Sequence, residues 1–446
     1  MKYVVYLIVL AFALAMFRLK RENKAAIMLL TMMMFSTVSI EFSPIGQARS
    51  IIIVSFVLSE LKMLKMHMKQ IRNTVIWKSL WIILILDLLT WINSPHLRSF
   101  IEVKNFLLGD VICKYLLLAF SFILFSSINS LKPTLKVSLI GLAILTAFGV
   151  LNYWTRTADF VIEMTRGQTL SLGDEEIQLG ERYINSERFR VSSMFANPFD
   201  YGYMCILCLI LHVYGYAKRL ESRRSLIVSI ICCSFGIVSC GCRTVLLCTF
   251  ICGFTYIFMA YRLKRFINVC IVASTVALIS YMYIPPITEK MDTMMTMFER
   301  NSDIGGSSLE MRELQYAAVL YHVQDSPLLG RGHNFFNIDM GWRDGTKSLN
   351  DRELCGLEGV TMSYILERGF VGLLLWVCFY STLLAYLIRN MHTDRTTVAL
   401  GGAIIAAYLS FSNMTGELLS VAPTLFILGY AIKVVELNNI TPTTSS

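Results

Sequence analysis

The sequence predicts an all-α fold, a polytopic bundle of about 12 to 13 transmembrane helices carrying a large outward loop. Three observations predict it. Of the 446 residues, 55% are hydrophobic and only 16% are charged, against roughly 25% charged residues in soluble domains. Mean hydropathy is +0.58. Apolar runs long enough to cross a bilayer recur along the chain, separated by short basic clusters. The formal net charge of +9 therefore gathers at the ends of apolar runs. That is the charge pattern of membrane topology, so no nucleic-acid partner is expected.

Taken in order, the apolar runs place helices at 3–17, 25–41, 50–64, 75–93, 105–126, 135–153, 199–217, 225–240, 244–261, 266–284, 360–388, 397–412 and 418–436. The first has the length of a signal-peptide apolar region. No small-residue cleavage site precedes the basic cluster Arg18, Lys20, Arg21 and Lys24, so it reads as a retained helix. A half-span near Asn105–Lys114, with Asp110 and Lys114 one helical turn apart, is an alternative that changes the count. The basic connections Arg18–Lys24, Lys62–Arg72, Lys132–Lys136, Lys218–Arg224, Arg262–Arg265 and Arg389–Arg395 fall on one side, which the positive-inside rule makes the cytoplasm.

The opposite side receives Phe42–Arg49, Ser94–Arg98, Thr155–Asn197, the turn Gly241-Cys242-Arg243, and Pro285–Gly359. The chain thus divides into N-terminal helices (1–154), a first outer loop (155–198), central helices (199–284), a large outer loop (285–359), and C-terminal helices with a short cytoplasmic tail (360–446). Neither outer loop has the strand pattern or apolar content of an independent domain. The first is polar and Arg-rich, suited to a mobile lid. In the second, Leu309–Gln324 has the spacing of an amphipathic helix lying over the membrane. Most of the 12 cysteines fall inside predicted helices. The Cys205–Cys208 pair has apolar flanks and reads as helix filler rather than a metal or redox site.

Three outer positions can carry chemistry. Arg190 precedes the helix mouth at Asn197-Pro198, Arg243 sits in a tight turn between two apolar helices, and His333 follows Gly330-Arg331-Gly332. Guanidinium forks hold phosphate oxygens bidentately, and an imidazole with a pKa near roughly 6.5 accepts a proton from an attacking hydroxyl. Arg190 also reads as one solvated loop arginine among several, whereas an outer turn has no topological need for Arg243. The charges Glu60, Lys78, Asp87, Glu102, Lys104, Asp110, Lys114 and Glu417 line the bundle interior or snorkel, which keeps a transporter in view. Against a carrier, no Gly- or Pro-interrupted spans occupy matching positions in two halves. No dinucleotide fingerprint, Walker A or HExxH motif occurs, and neither a metal nor a cofactor is expected.

From Arg190 to Leu387 these residues form an ordered series. Arg190 with Asn197-Pro198 comes first, then the turn Ser239–Leu246, Arg312 opening a helix that ends in Pro327-Leu328-Leu329-Gly330-Arg331-Gly332-His333-Asn334, and Glu367-Arg368-Gly369-Phe370-Val371-Gly372. The series resembles the O-antigen ligase and polymerase (Wzy/WaaL-like) superfamily of bacterial surface-polysaccharide membrane enzymes. The resemblance implies a GT-C-like, metal-independent inverting glycosyltransferase in the bacterial inner membrane. It would act at the periplasmic face on an undecaprenyl-diphosphate-linked glycan.

By the same resemblance, His333, Arg243 and Arg190 are catalytic, and Arg312, Arg331, Asn334, Asn197 and Glu367 bind substrate. The partners it implies are an acceptor glycan or lipid, membrane lipid, a chain-length regulator and a flippase. A polymerase of O-antigen or capsular repeat units is the first expectation, a ligase onto lipid A core the second, and a polysaccharide flippase the third. Two features depart from the family pattern: Gly241-Cys242-Arg243 stands where a Ser-Arg pair is commoner, and a polar insertion separates His333 from Tyr364.

Overall fold

The computed structural model of the protein describes residues 2–36, 38, 40, 46–94, 97, 99–165, 169–172, 175–178, 189–261, 267–268, 275, 309–333, 335, 357–416 and 421–440. Most of the expected span at 266–284, together with Asn334 and Glu417, lies outside them. The first half of the chain forms α1 Lys2–Ala15, α2 Arg21–Met34, α3 Ala48–Glu60, α4 Leu64–Arg72, α5 Val75–Asn93, α6 Phe100–Phe106, α7 Leu116–Leu124, α8 Lys132–Thr155 and α9 Asp159–Met164. A π-helical stretch, Leu107–Tyr115, joins α6 to α7 in one continuous helix. The expected half-span is therefore the first part of a full one, and the extra residue per turn is where Asp110 and Lys114 sit.

A short antiparallel hairpin, β1 Thr169–Leu172 and β2 Glu175–Gln178, follows in the first outer loop, where no strand was expected. Then come α10 Pro198–Ala217, α11 Arg223–Ser239, α12 Arg243–Ala260, α13 Leu309–Val323, α14 Val360–Arg389, α15 Arg395–Thr415 and α16 Val421–Ile440.

Eight helical units among the described residues are long and apolar enough to cross a membrane: α5, the α6–α7 unit, the unit containing α8, α10, α12, α14, α15 and α16. The protein is a multi-pass helical membrane protein. Four elements read as spans from the sequence, α1, α2, α3 and α11, have only 14, 14, 13 and 17 residues. Burial follows the lipid logic. α10, α15 and α16 form the centre, while α5 exposes Trp81, Leu84, Ile85, Leu88 and Ile92 outward and buries Ile83 and Leu86. Large exposed side chains of this kind cost nothing against hydrocarbon.

Local chemistry sets the helix ends. Asn197 caps α10, its Oδ1 accepting from the Asp200 amide at 2.8 Å, and Pro198 takes the first helical position, where no donor is lost. Asp394 caps α15 in the same way through Thr397 and also takes Lys218 Nζ at 2.6 Å, tying the end of α10 to the start of α15. At the other end of the bundle, Arg312 of α13 reaches Glu358 Oε2 at 3.4 Å and the Met414 carbonyl at 3.3 Å. The C-terminal end of α15 and the N-terminal side of α14 thus share a face with α13, the face expected to point outward.

The interruption of α14 organises that face. Gly369 has φ +64° and ψ −172° inside the helix. A break there deprives the Leu366 and Glu367 carbonyls, and the Phe370 and Val371 amides, of their helical partners. The segment Pro327–Gly332 supplies replacements. Arg331 N donates to Leu366 O at 2.8 Å and Gly332 N to Glu367 O at 2.9 Å, while Phe370 N donates to Pro327 O at 2.9 Å and Val371 N to Leu328 O at 3.1 Å. Asn93, at the end of α5, adds Nδ2 bonds to the Leu329 and Gly330 carbonyls, both at 3.0 Å. This part of the large outer loop is therefore not free polar chain, because its backbone is paired with that of a helix.

Gly330, at φ +72°, and Gly369 face each other so closely that a Cβ on Gly330 would collide with the Arg368 and Gly369 amides, and one on Gly369 with the Leu328 carbonyl. Gly330→Ala and Gly369→Ala are each expected to lower stability by at least about 2 kcal/mol, through positive φ plus a backbone clash. Thermal unfolding in detergent should show this against Gly253→Ala, where nothing lies within 4 Å and no loss is expected.

Candidate functional site

The splice delivers His333 to its setting. Its amide donates to Ser94 Oγ at 2.6 Å, one residue past α5, and its ring meets the edge of Phe106 at 5.1 Å between centroids. Its two nitrogens face two carboxylates, Nε2 lying 3.6 Å from Asp110 Oδ2 and Nδ1 3.9 Å from Glu367 Oε2. The Nδ1 atom is buried and makes no hydrogen bond. A buried ring nitrogen without a hydrogen bond is uncommon and marks the ring as a candidate functional group.

Each neighbour has a structural origin. The π-helical turn brings Asp110 and Lys114 to 3.6 Å of each other and aims Asp110 at the imidazole. Glu367 and Arg368 stand immediately before the break in α14. Arg368 is buried, lies 4.8 Å above the Tyr364 ring and pairs with Asp87 of α5 at 3.7 Å. Tyr364 in turn shares a 2.6 Å hydroxyl contact with Tyr115. Burial pushes the His333 pKa below the ordinary imidazole value. Asp110 opposes that shift, and the cations Arg368 and Lys114 reinforce it. The ring is thereby kept neutral, the form that accepts a proton.

The other expected residues fall into separate groups. Arg190 lies beside the Ser239–Arg243 turn: Val191 N donates to Ser239 O at 3.2 Å, and the Arg190 guanidinium sits near Cys242 and 5.8 Å from the Phe199 ring. Arg243 opens α12 directly after that turn. The two arginines expected to hold a diphosphate are thus on one structural corner. Asn197 is occupied as the cap of α10, with its Nδ2 also on Asp200 Oδ2 at 2.9 Å. Arg312 ties α13 to its neighbours. Arg331 pairs with Asp325 at 3.3 Å and lies over Phe335 at 5.0 Å. Of the eight expected site residues, His333 and Glu367 come within ion-pair distance, and Asn334 lies outside the described residues.

Sequence reasoning did not assign Arg49. It starts α3, is buried with its Nε unpartnered, and stands within electrostatic reach of both Asp110 and Asp200. It therefore connects the His333 carboxylate to the α10 mouth that follows Arg190. Asp110 and Asp87 were visible only as charges in apolar surroundings, a signal that marks interest without naming a partner, and Arg368 only as part of the Glu367–Gly372 series. Among the described residues no cluster of His, Cys, Asp and Glu has the makings of a metal site.

The chain matches no model of a known protein family, and no curated protein sequence matches it significantly.

The lowered pKa of His333 has a sign that can be tested. The unfolded chain takes up the proton first, so the histidine destabilises the fold on acidification, from about pH 6.5 down through its folded value, and is neutral in effect above that window. His333→Gln should therefore flatten the acid side of a plot of Tm against pH, while leaving the alkaline side unchanged.

Proposed function

We propose that the protein is a membrane glycosyltransferase that joins undecaprenyl-diphosphate-linked oligosaccharide repeat units into O-antigen or capsular polysaccharide at the periplasmic face of the inner membrane. The observation carrying this reading is His333: a neutral imidazole with one nitrogen that makes no hydrogen bond, flanked by Asp110 and Glu367 at the outer mouth of the bundle. A base so placed takes the proton of an acceptor sugar hydroxyl as its oxygen bonds to the anomeric carbon, with inversion. The bond from that carbon to the diphosphate breaks, and undecaprenyl diphosphate leaves with the electron pair. Arg190 and Arg243, on their common corner, neutralise the charge that develops on the leaving group. Asp110 and Glu367 stabilise the imidazolium until the proton passes to solvent.

A second reading rests on the Asp87–Arg368 pair, in which both side chains are only 5% exposed inside the bundle. A polysaccharide carrier would place its coupling charges there rather than at the outer turns.

The two readings predict opposite outcomes. As a transferase, the protein loses roughly 10²- to 10⁴-fold in polymerising rate on His333→Ala, with Arg243→Ala also strongly impaired. Either variant making full-length polymer at normal levels, once shown to be expressed and inserted, rules the mechanism out. As a carrier, Asp87→Asn is inactive and Arg243→Ala is harmless. The surface glycan of a deletion strain separates the remaining outcomes, since single repeats on the core lipid mark a polymerase and polymer left on the carrier lipid marks a ligase.

A further inference from the structure

At the opposite end of the bundle, α4 follows α3 through a single 3₁₀ turn and leads directly into α5. Its faces have separate roles. His67 and Ile71 are buried, while Lys65, Lys69 and Arg72, at i, i+4 and i+7, form one exposed stripe. Lys62 and Lys78 are exposed just before and after it, and no acidic residue occurs from Leu61 to Lys78. Met66 and Met68 are 37% and 43% exposed on either side of the stripe, and Leu61 and Met63 are 50% and 41% exposed at its start.

We propose that α4 is a docking surface for the phosphate headgroups of anionic phospholipids in the leaflet around it. Charge complementarity selects an anion, and the exposed methionines and leucine select one with an apolar layer beneath it. The level is marked independently. Trp77 and Trp81 pack edge to face at 5.7 Å on the first turns of α5, and indole rings concentrate where headgroups meet hydrocarbon. Arg72, the last residue of α4, precedes Trp77 by five residues, so the stripe ends close to that level in the chain. The roll of α4 is set from behind, because His67 Nε2 lies 2.9 Å from Glu60 Oε2, and Glu60 also holds Lys24 at 2.7 Å. The stripe is thus presented at a fixed angle.

The test titrates the full-length, delipidated protein in neutral detergent with phosphatidylglycerol or phosphatidylcholine and counts bound lipids by native mass spectrometry. Preferential binding of phosphatidylglycerol is expected. In Lys65→Gln/Lys69→Gln/Arg72→Gln its tightest sites should weaken by roughly 100-fold, at about 5-fold per cation, while Lys132→Gln/Lys136→Gln binds as the parent does. Equal binding of the two lipids, unchanged affinity in the triple variant, or displacement by inorganic polyphosphate at micromolar levels overturns the proposal. Should the triple variant fail to fold, the all-arginine counterpart must retain binding. The parent's affinity must then also fall as salt rises from about 0.05 to about 0.5 M, since headgroup docking is screened.

Discussion

Backbone polar groups packed away from water need partners, so each donor and acceptor released at Gly369 must find one within the protein. That requirement underlies the end of the bundle that carries His333. The four amides and carbonyls freed in α14 are met one for one by Pro327–Gly332, and the carbonyls of that segment are met by Asn93. The splice holds three elements far apart in the chain, and it presents His333, Glu367 and Arg368 from backbone that cannot slide. Two positive-φ glycines are the local condition for it, because any Cβ at either position would occupy the space of the opposing strand of chain.

The electrostatics inherit this rigidity. His333 sits among two carboxylates and two nearby cations, and the balance of burial over attraction keeps it neutral. Asp110 contributes because a π-helical turn rotates it out of the register that an α-helix would give. Arg49 extends the same field towards Asp200 and the corner occupied by Arg190. A network of this kind orients its members more than it stabilises the fold, since the desolvation of buried charges offsets much of their attraction.

The helices were legible in the sequence because hydropathy reports burial in lipid directly. α5 has the same limits, Val75–Asn93, in both readings, and α13 ends one residue short of its expected end. The positions of His333 and Glu367 were legible as motifs, but their meeting was not. It depends on a break in α14 whose only local trace is a glycine between Glu367-Arg368 and the apolar run that begins at Phe370. Arg312 and Asn197 had the appearance of ligand residues, but Arg312 joins helices and Asn197 caps one, because a polar side chain near a helix end serves either purpose. Arg49 left no signal, since its importance comes entirely from which helices pack around it. The β1–β2 hairpin was missed because four-residue strands carry too short an alternation to stand out from loop.

Asn93 and Ser94 bond to residues that follow them by more than 230 positions. During synthesis, α5 therefore enters the membrane long before the chain that will satisfy its end exists. The break in α14 is likewise incomplete until Pro327–Gly332 has folded back against it. That pairing is thus completed last, after most of the helices are made, and a chain interrupted before α14 would contain Asp110, Phe106 and His333 without Glu367 or the backbone that holds the histidine in place. The pairing across the glycine break therefore exists only in a nearly finished bundle.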